Sequence, residues 1–451
     1  MTRPALETMA DLTAKGRIGC FVEELTLAGV VYNTAGLHHQ LQMGTKTMLG
    51  RGCEGSGMLD EPKEQATAAE LSHVATALDR MRETHVDYIQ FHESGDDVTL
   101  LTAVLENLAS NTKRRGLASL KLDVAEYRQD TKTTQPASNR LAWKSVWHMA
   151  EQTFQIFAVA LGAARLPIQE LNFFCNDFSG HCSLQCHQLS RCEWETSGVI
   201  FALASVESLS ISLSDRVLNE TTHDALATGD PVERKVPTPD ADKLTSSLGE
   251  LKKQAAEVDN FSGLVTLLNS CKRLRRLELR RCYVRQRHPE LRDYQGEKFI
   301  QYLAGIARLG NLEIVSLGNF VTRKQDLLGI LQQHPICDLT LVNISLYSGA
   351  WNDIFEHCTA NMHALHLEDL SQGCRKMLFG DYHEDIEDSL LKGLRKSQNT
   401  HIRHCNDPEK PIVWRIPRYR RLGPDPVVHR RLKRVRNMFG PPASHYPGPH
   451  H

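Results

Sequence analysis

Six residues within an eighteen-residue stretch carry metal-ligand chemistry: Cys175, His181, Cys182, Cys186, His187 and Cys192. Zinc takes four such donors, commonly in pairs separated by about two to four residues, because neighbouring ligands must converge on one tetrahedral centre. Only Cys182-x-x-x-Cys186 approaches that spacing; there is no CxxC and no second clean pair. The expectation is buried thiols and no metal. Gly50-Arg-Gly52-Cys-Glu-Gly55 matches GxGxxG, a pattern that binds a dinucleotide when a buried strand precedes it and a helix opens at its last glycine. Here residues 38–47 are polar and Pro62 follows, so a flexible glycine loop is expected and no cofactor. No GxSxG, HExxH or P-loop is present, and no nucleophile, base and orienting group can be grouped from the sequence. Catalytic residues: none; the chain is read as non-enzymatic.

A different chemistry resides in residues 410–451. Lys410, Arg415, Arg418, Arg420, Arg421, Arg430, Arg431, Lys433, Arg434 and Arg436 meet little acid, with Trp414, Tyr419 and Phe439 interleaved. Such an arm neutralises phosphates and releases counterions, and Arg430, Arg431, Lys433, Arg434 and Arg436 form its densest part. Three readings stand side by side: a solvated tail, a nuclear-localisation signal, and a nucleic-acid or chromatin contact.

The elements that would position any of these residues follow from composition and periodicity. The chain has 451 residues, 41% hydrophobic and 24% charged, with a net charge of −1. That supplies core material and gives no global reason for a polyanionic or membrane partner. Residues 1–12 lack an apolar signal segment, and no apolar run approaches the roughly 20 residues a membrane span needs. The expected location is cytoplasmic or nuclear, with the twelve cysteines reduced. Asn219-Glu-Thr, Asn260-Phe-Ser and Asn343-Ile-Ser are accordingly read as chance matches to glycosylation acceptors.

One phrase recurs. Leu274-x-x-Leu277-x-Leu279-x-x-Cys282 has the form LxxLxLxxC, and the same frame returns at Leu312, Val315, Leu317, Phe320, at Ile336, Leu339, Leu341, Ile344, and at Met362, Leu365, Leu367, Leu370. The starts at 312, 336 and 362 are 24 and 26 residues apart, inside the leucine-rich-repeat range of about 20–29. Looser copies begin at Val22, Leu117, Ile168 and Val206, with Ile168-x-x-Leu171-x-Phe173-x-x-Asn176 ending on asparagine. The inner alternation predicts a short strand with one apolar and one polar face. Between strands, Phe299, Tyr302, Leu303 and Ile306, then Leu327, Leu328 and Leu331, then Trp351, Ile354 and Phe355 recur at helical spacing, and Ser145 to Leu166 reads as a long helix. The predicted class is α/β: a leucine-rich-repeat-like right-handed solenoid of parallel strands and helical crossovers, with irregular repeats.

The expected organisation is a first helix and repeat strand at 1–37, an insertion with polar loop and helix at 38–100, the solenoid at 101–375 with a loop insertion at 214–257, a capping helix and linker at 376–409, and a basic, Pro-rich, irregular tail at 410–451.

Asn343-Ile-Ser-Leu-Tyr-Ser-Gly-Ala-Trp-Asn-Asp-Ile-Phe-Glu356 runs from a repeat strand through Gly349 and Trp351 into a helix. With Ala5 to Leu12, Phe21 to Leu27 and Val206 to Arg216, it resembles large fungal F-box proteins with degenerate leucine-rich repeats. The resemblance implies a substrate-recognition surface within a ubiquitin-ligase subunit. No F-box-like segment precedes Ala5 in this sequence, so a cullin ubiquitin-ligase adaptor is an expected partner only if an F-box is supplied upstream.

In such an array the polar residues beside each LxL stack in columns. One column is predicted to hold Thr26, Lys121, Asn172, Ser210, Glu278, Ser316, Thr340 and His366, beside Arg276, Arg280, Asp338 and Glu368. The candidate protein-binding residues are Lys121, Asn172, Arg276, Glu278, Arg280, Thr340, His366 and Glu368, and Arg276, Arg280 and Arg281 are expected to form a positive patch. The protein partner has no further identity in the sequence; nucleic acid through the tail is the alternative, and no membrane is expected.

Overall fold

A computed structural model describes residues 1–14, 17–32, 34–44, 65–111, 116–128, 133–136, 143–175, 182–216, 250, 253–282, 289–306, 309, 311–373, 375–379, 400–404 and 412–416. The fold is mixed α/β with a mostly parallel central sheet. Nine strands make its main path in chain order: β1 Glu24–Tyr32, β2 Leu117–Arg128, β3 Ile168–Phe173, β4 Ser208–Ser214, β5 Arg276–Cys282, β6 Ile314–Gly318, β7 Asp338–Val342, β8 Ala364–Glu368 and β9 Thr400–Arg403. β1 to β8 are parallel to their neighbours; β9 closes the far edge antiparallel to β8.

Each parallel step requires a crossover, because consecutive strands point the same way. Helices supply it: α1 Arg3–Thr13 precedes β1, and α2 Ala35–Met43, α3 Ala68–Glu93 and α4 Asp96–Asn111 lead from β1 to β2. The later crossovers include, among the described residues, α5 Trp143–Ala164, α6 Ser197–Leu203, α7 Asp259–Ser270, α8 Pro289–Ala304, α9 Lys324–Gln333 and α10 Asn352–Asn361. α3 starts with a complete capping box, Thr67 and Glu70 each accepting the other's backbone N–H, which satisfies two orphan donors at once.

The strand register turns the recurring phrase into two buried rungs. Leu25, Leu120, Leu171, Leu209, Leu277, Val315, Leu339 and Leu365 stand side by side, as do Leu27, Leu122, Phe173, Ile211, Leu279, Leu317, Leu341 and Leu367. All sixteen are buried. At roughly 1.5–3 kcal/mol for each such side chain, the rungs bind sheet to helices far more strongly than any surface ion pair could.

The last repeats share a turn. Asn319, Asn343 and Asp369, two residues after the final apolar rung, all adopt left-handed backbone (φ 67°, 53° and 52°). Asparagine and aspartate tolerate that region better than other side-chain-bearing residues. The Asn319 N–H bonds the Val342 carbonyl, the Asn343 N–H bonds that of Glu368, and Asn343 Nδ2 donates to Asn319 Oδ1 at 3.0 Å. The turn redirects the chain into short strands, Val321–Arg323, Ser345–Ser348 and Ser371–Gln372, which with Arg375–Lys376 form a second, four-stranded sheet. Trp351, wholly buried, ties α10 to that sheet by donating from Nε1 to the Ser371 carbonyl.

Several expected boundaries shift. The cut at 37/38 falls inside α2 and that at 100/101 inside α4, because the crossover helices run through both. The stretch 38–100 is more than polar loop and helix: α3 buries Val74, Ala77, Leu78, Met81, Tyr88 and Phe91. The supposed linker at 376–409 contains β9, whose Arg403 is buried and donates to the Cys358 and Met362 carbonyls at the end of α10. A cation on the last carbonyls of a helix also answers its dipole. The capping helix read at 385–394, the glycine loop 50–55, Asn176, most of the 214–257 insertion and the arm beyond 416 lie outside the described residues.

Candidate functional site

On the face opposite the leucine rungs, the strands bring Thr26, Lys121, Asn172, Ser210, Glu278, Ser316, Thr340 and His366 into one unbroken register column. Neighbouring strands lie about 4.8 Å apart, so the column is a ruled line of polar groups on a rigid base. A second line, two residues toward the strand ends, includes Arg280, Gly318, Val342 and Glu368; a third, two residues the other way, includes Arg276, Ile314 and Asp338.

Along the strands, residues i and i+2 share this face, and their polar side chains meet. Lys121 Nζ lies 3.5 Å from Asp123, Arg280 Nε 2.7 Å from Glu278, and His366 Nε2 3.3 Å from Glu368. Ser210 Oγ also donates to Glu278 at 3.2 Å. These pairs are half-buried but still solvent-screened, and such pairs contribute only about 1 kcal/mol each, so they cost little to exchange for a partner's groups.

Two expectations are corrected. Arg281 does not join Arg276 and Arg280 in a positive patch: strand alternation turns it to the apolar side, 1% exposed, where Nε and Nη2 grip Asp215 at 2.9 Å each. Gly296 of α8 makes room for its guanidinium, since a Cβ there would stand 2.2 Å from Nη1. With Arg280 on Glu278 as well, the patch is neutralised. Asn172 is committed locally: its side chain donates to the Cys175 carbonyl and accepts from the Cys175 N–H, both at 2.9 Å.

Ser212 Oγ donates to the Cys182 carbonyl and lies 3.6 Å from Cys282 Sγ, so Cys182 lies over the upper face of β4 and β5, whereas Ser316, Thr340 and His366 on β6 to β8 are half-buried. Cys282 is displaced from its expected role: without a left-handed turn after Leu279, β5 runs straight and puts it on the polar face.

The thiols of the 175–192 stretch are held protonated. Burial pushes Cys175 and Cys182 well up, and Cys186 and Cys192 to about 12. Among the described residues no group of three or more His, Cys, Asp or Glu side chains is placed to hold a metal ion. His187 is driven to about 3 by burial and by the Arg216 and Arg191 charges. A cleft of about 490 Å³ lies between α7 and the segment before α6, lined by Trp194, Glu193, Glu195, Ser262 and Thr266. Of the residues singled out from the sequence, Cys192 lines it; none of the candidate protein-binding residues does. Arg430, Arg431, Lys433, Arg434 and Arg436 lie outside the described residues. Among the described residues no helix is long and apolar enough to cross a membrane.

The sequence reading missed the Asn319–Asn343 ladder and the buried Arg281–Asp215 pair. The first was legible as asparagines 24 residues apart, one frame position earlier than the closing residue of each phrase. The second was not, because no local pattern links residues 66 apart. No protein-family model matches the chain, and no curated protein matches it in sequence.

Proposed function

We propose that the chain is a leucine-rich-repeat-like solenoid whose polar sheet face binds a protein partner, without catalysis. The supporting observation is the unbroken column from Thr26 to His366, backed by two leucine rungs. A face so regular, held by a core that does not use its side chains, is free to diverge toward a ligand. Strands β6 to β8 carry the working part: Ser316, Thr340, His366 and Glu368, flanked by Arg280 and Asp338. The resemblance to F-box proteins makes a ubiquitin-ligase substrate the favoured partner class.

The test is affinity capture with the native chain and with Thr340→Arg/His366→Glu, each set of captured proteins quantified. Selective loss of a discrete partner from the double variant is expected. An identical set from both would contradict the face as the binding site. Purified cullin adaptor, offered to this chain and to an N-terminally extended form, tests the ligase part; association with neither removes it.

A second reading rests on the ten basic residues between 410 and 436. If they contact nucleic acid, deleting 410–451 abolishes salt-sensitive binding; unchanged binding excludes the arm.

A further inference from the structure

In the central column of the polar face and the line above it, charged side chains already have a neighbour to meet. Lys121 meets Asp123, Arg280 meets Glu278, and His366 meets Glu368. The line at the strand starts differs. Its register runs without a break from Glu170 on β3 through Ser208, Arg276 and Ile314 to Asp338 on β7. Among the described residues, the side chains of Glu170, Arg276 and Asp338 take part in no ion pair and no hydrogen bond. Glu170 and Arg276 are exposed; Ser208, Ile314 and Asp338 are half-buried. The line therefore carries a negative, a positive and a negative charge on every second strand, with a short or an apolar side chain between them. A partner meets these charges without first breaking an internal pair.

The spacing says what form the partner takes. Strands lie about 4.8 Å apart, so charges two strands apart are separated by about 10 Å. An α-helix brings residues i and i+7 to one face, and seven residues rise about 10.5 Å. The intervening i+3 or i+4 residue then falls over the strand between. An extended segment fits poorly, because residues on one of its faces recur at about 7 and about 13 Å.

We infer that this line seats an amphipathic helix of the protein partner, lying across the strands. The helix carries a basic residue opposite Glu170, an acidic one seven residues on opposite Arg276, and a basic one seven further opposite Asp338. Between them, apolar residues stand over Ser208, whose small side chain leaves room, and over Ile314, which offers apolar contact. The inference rests on the polar face as the binding side and adds the partner's form and charge pattern.

The probe is a labelled alanine-based helical peptide of about 20 residues. It carries lysine, glutamate and lysine seven residues apart, with leucines between. Anisotropy with the full chain is expected to show saturable binding that weakens as salt rises. Arg276→Glu is expected to weaken it about tenfold or more, with circular dichroism unchanged, and a peptide with lysine at its centre should restore binding to that variant. The same charges set four residues apart should bind about tenfold more weakly. No binding, a loss that the charge swap does not rescue, or equal binding of the respaced peptide overturns the inference. Partner capture separates the two readings. If Thr340→Arg/His366→Glu loses the partner while Arg276→Glu/Asp338→Lys keeps it, the helix line is wrong and the face stands. If neither variant loses it, the face falls and the inference with it.

Discussion

The repeats built on β6, β7 and β8 and those built on β1 to β5 use the same leucine frame but end their strands differently. In the first group, Asn319, Asn343 and Asp369 turn the chain left-handed two residues after the last rung, and the following Phe320, Ile344 and Leu370 are buried beneath the second sheet. In the second group β1, β2, β4 and β5 run on past the rung, while β3 stops at Phe173 with the next residue, Phe174, left-handed (φ 60°). β5 reaches Cys282, and Arg281, at the position of those asparagines, stays extended and goes inward to Asp215. A turn that costs little on asparagine keeps a repeat short. Without it, in β5, the strand lengthens and an ion pair is buried.

The largest expected effect follows from that ion pair. Arg281→Met alone leaves Asp215 charged in the core and should destabilise the chain by about 3–5 kcal/mol, whereas Arg281→Met with Asp215→Leu should recover most of it. Urea unfolding of the two variants decides; equal losses would mean that the pair's charge is not what matters.

The next is confined to the same half. His187 stays neutral when folded down to about pH 3, against an ordinary value of 6.5. Between those two values the unfolded chain binds a proton that the folded chain refuses, so stability falls as pH drops through that window. Amide exchange at pH 7 and pH 4.5 should show the 184–216 region loosening before the β6–β8 repeats, and His187→Gln should flatten the difference. Uniform loosening would place the acid sensitivity elsewhere.

The smallest probes the regular half. Asn343→Ala loses the side-chain ladder and places alanine in left-handed backbone, about 1–3 kcal/mol. Asn343→Gly keeps the conformation available and should cost less than Asn343→Ala. Equal losses in thermal unfolding would assign the whole effect to the hydrogen bond.

These contrasts show why some features were legible in the sequence. All eight leucine phrases are strands, and their polar positions fall in one register, because period-two alternation is a local property that burial enforces. The long helix read at 145–166 is α5, shifted by two residues, for the same reason. What escaped depends on distant residues. Arg281 looked like a surface cation because its inward turn depends on Asp215 and on Gly296, neither nearby in sequence. β9 has four residues and no leucine, and becomes a strand only because β8 offers it an edge. Asn172 sits in the predicted column, yet its side chain closes a turn onto Cys175.

The central claim is that the polar face, and not the helix layer, meets the partner. A photo-crosslinking residue at Thr340, on the polar face, compared with one at Val159, on the exposed side of α5, tests it most directly. The account predicts a discrete crosslinked protein from position 340 and none from 159. Crosslinking of that protein from 159 with none from 340 would contradict it.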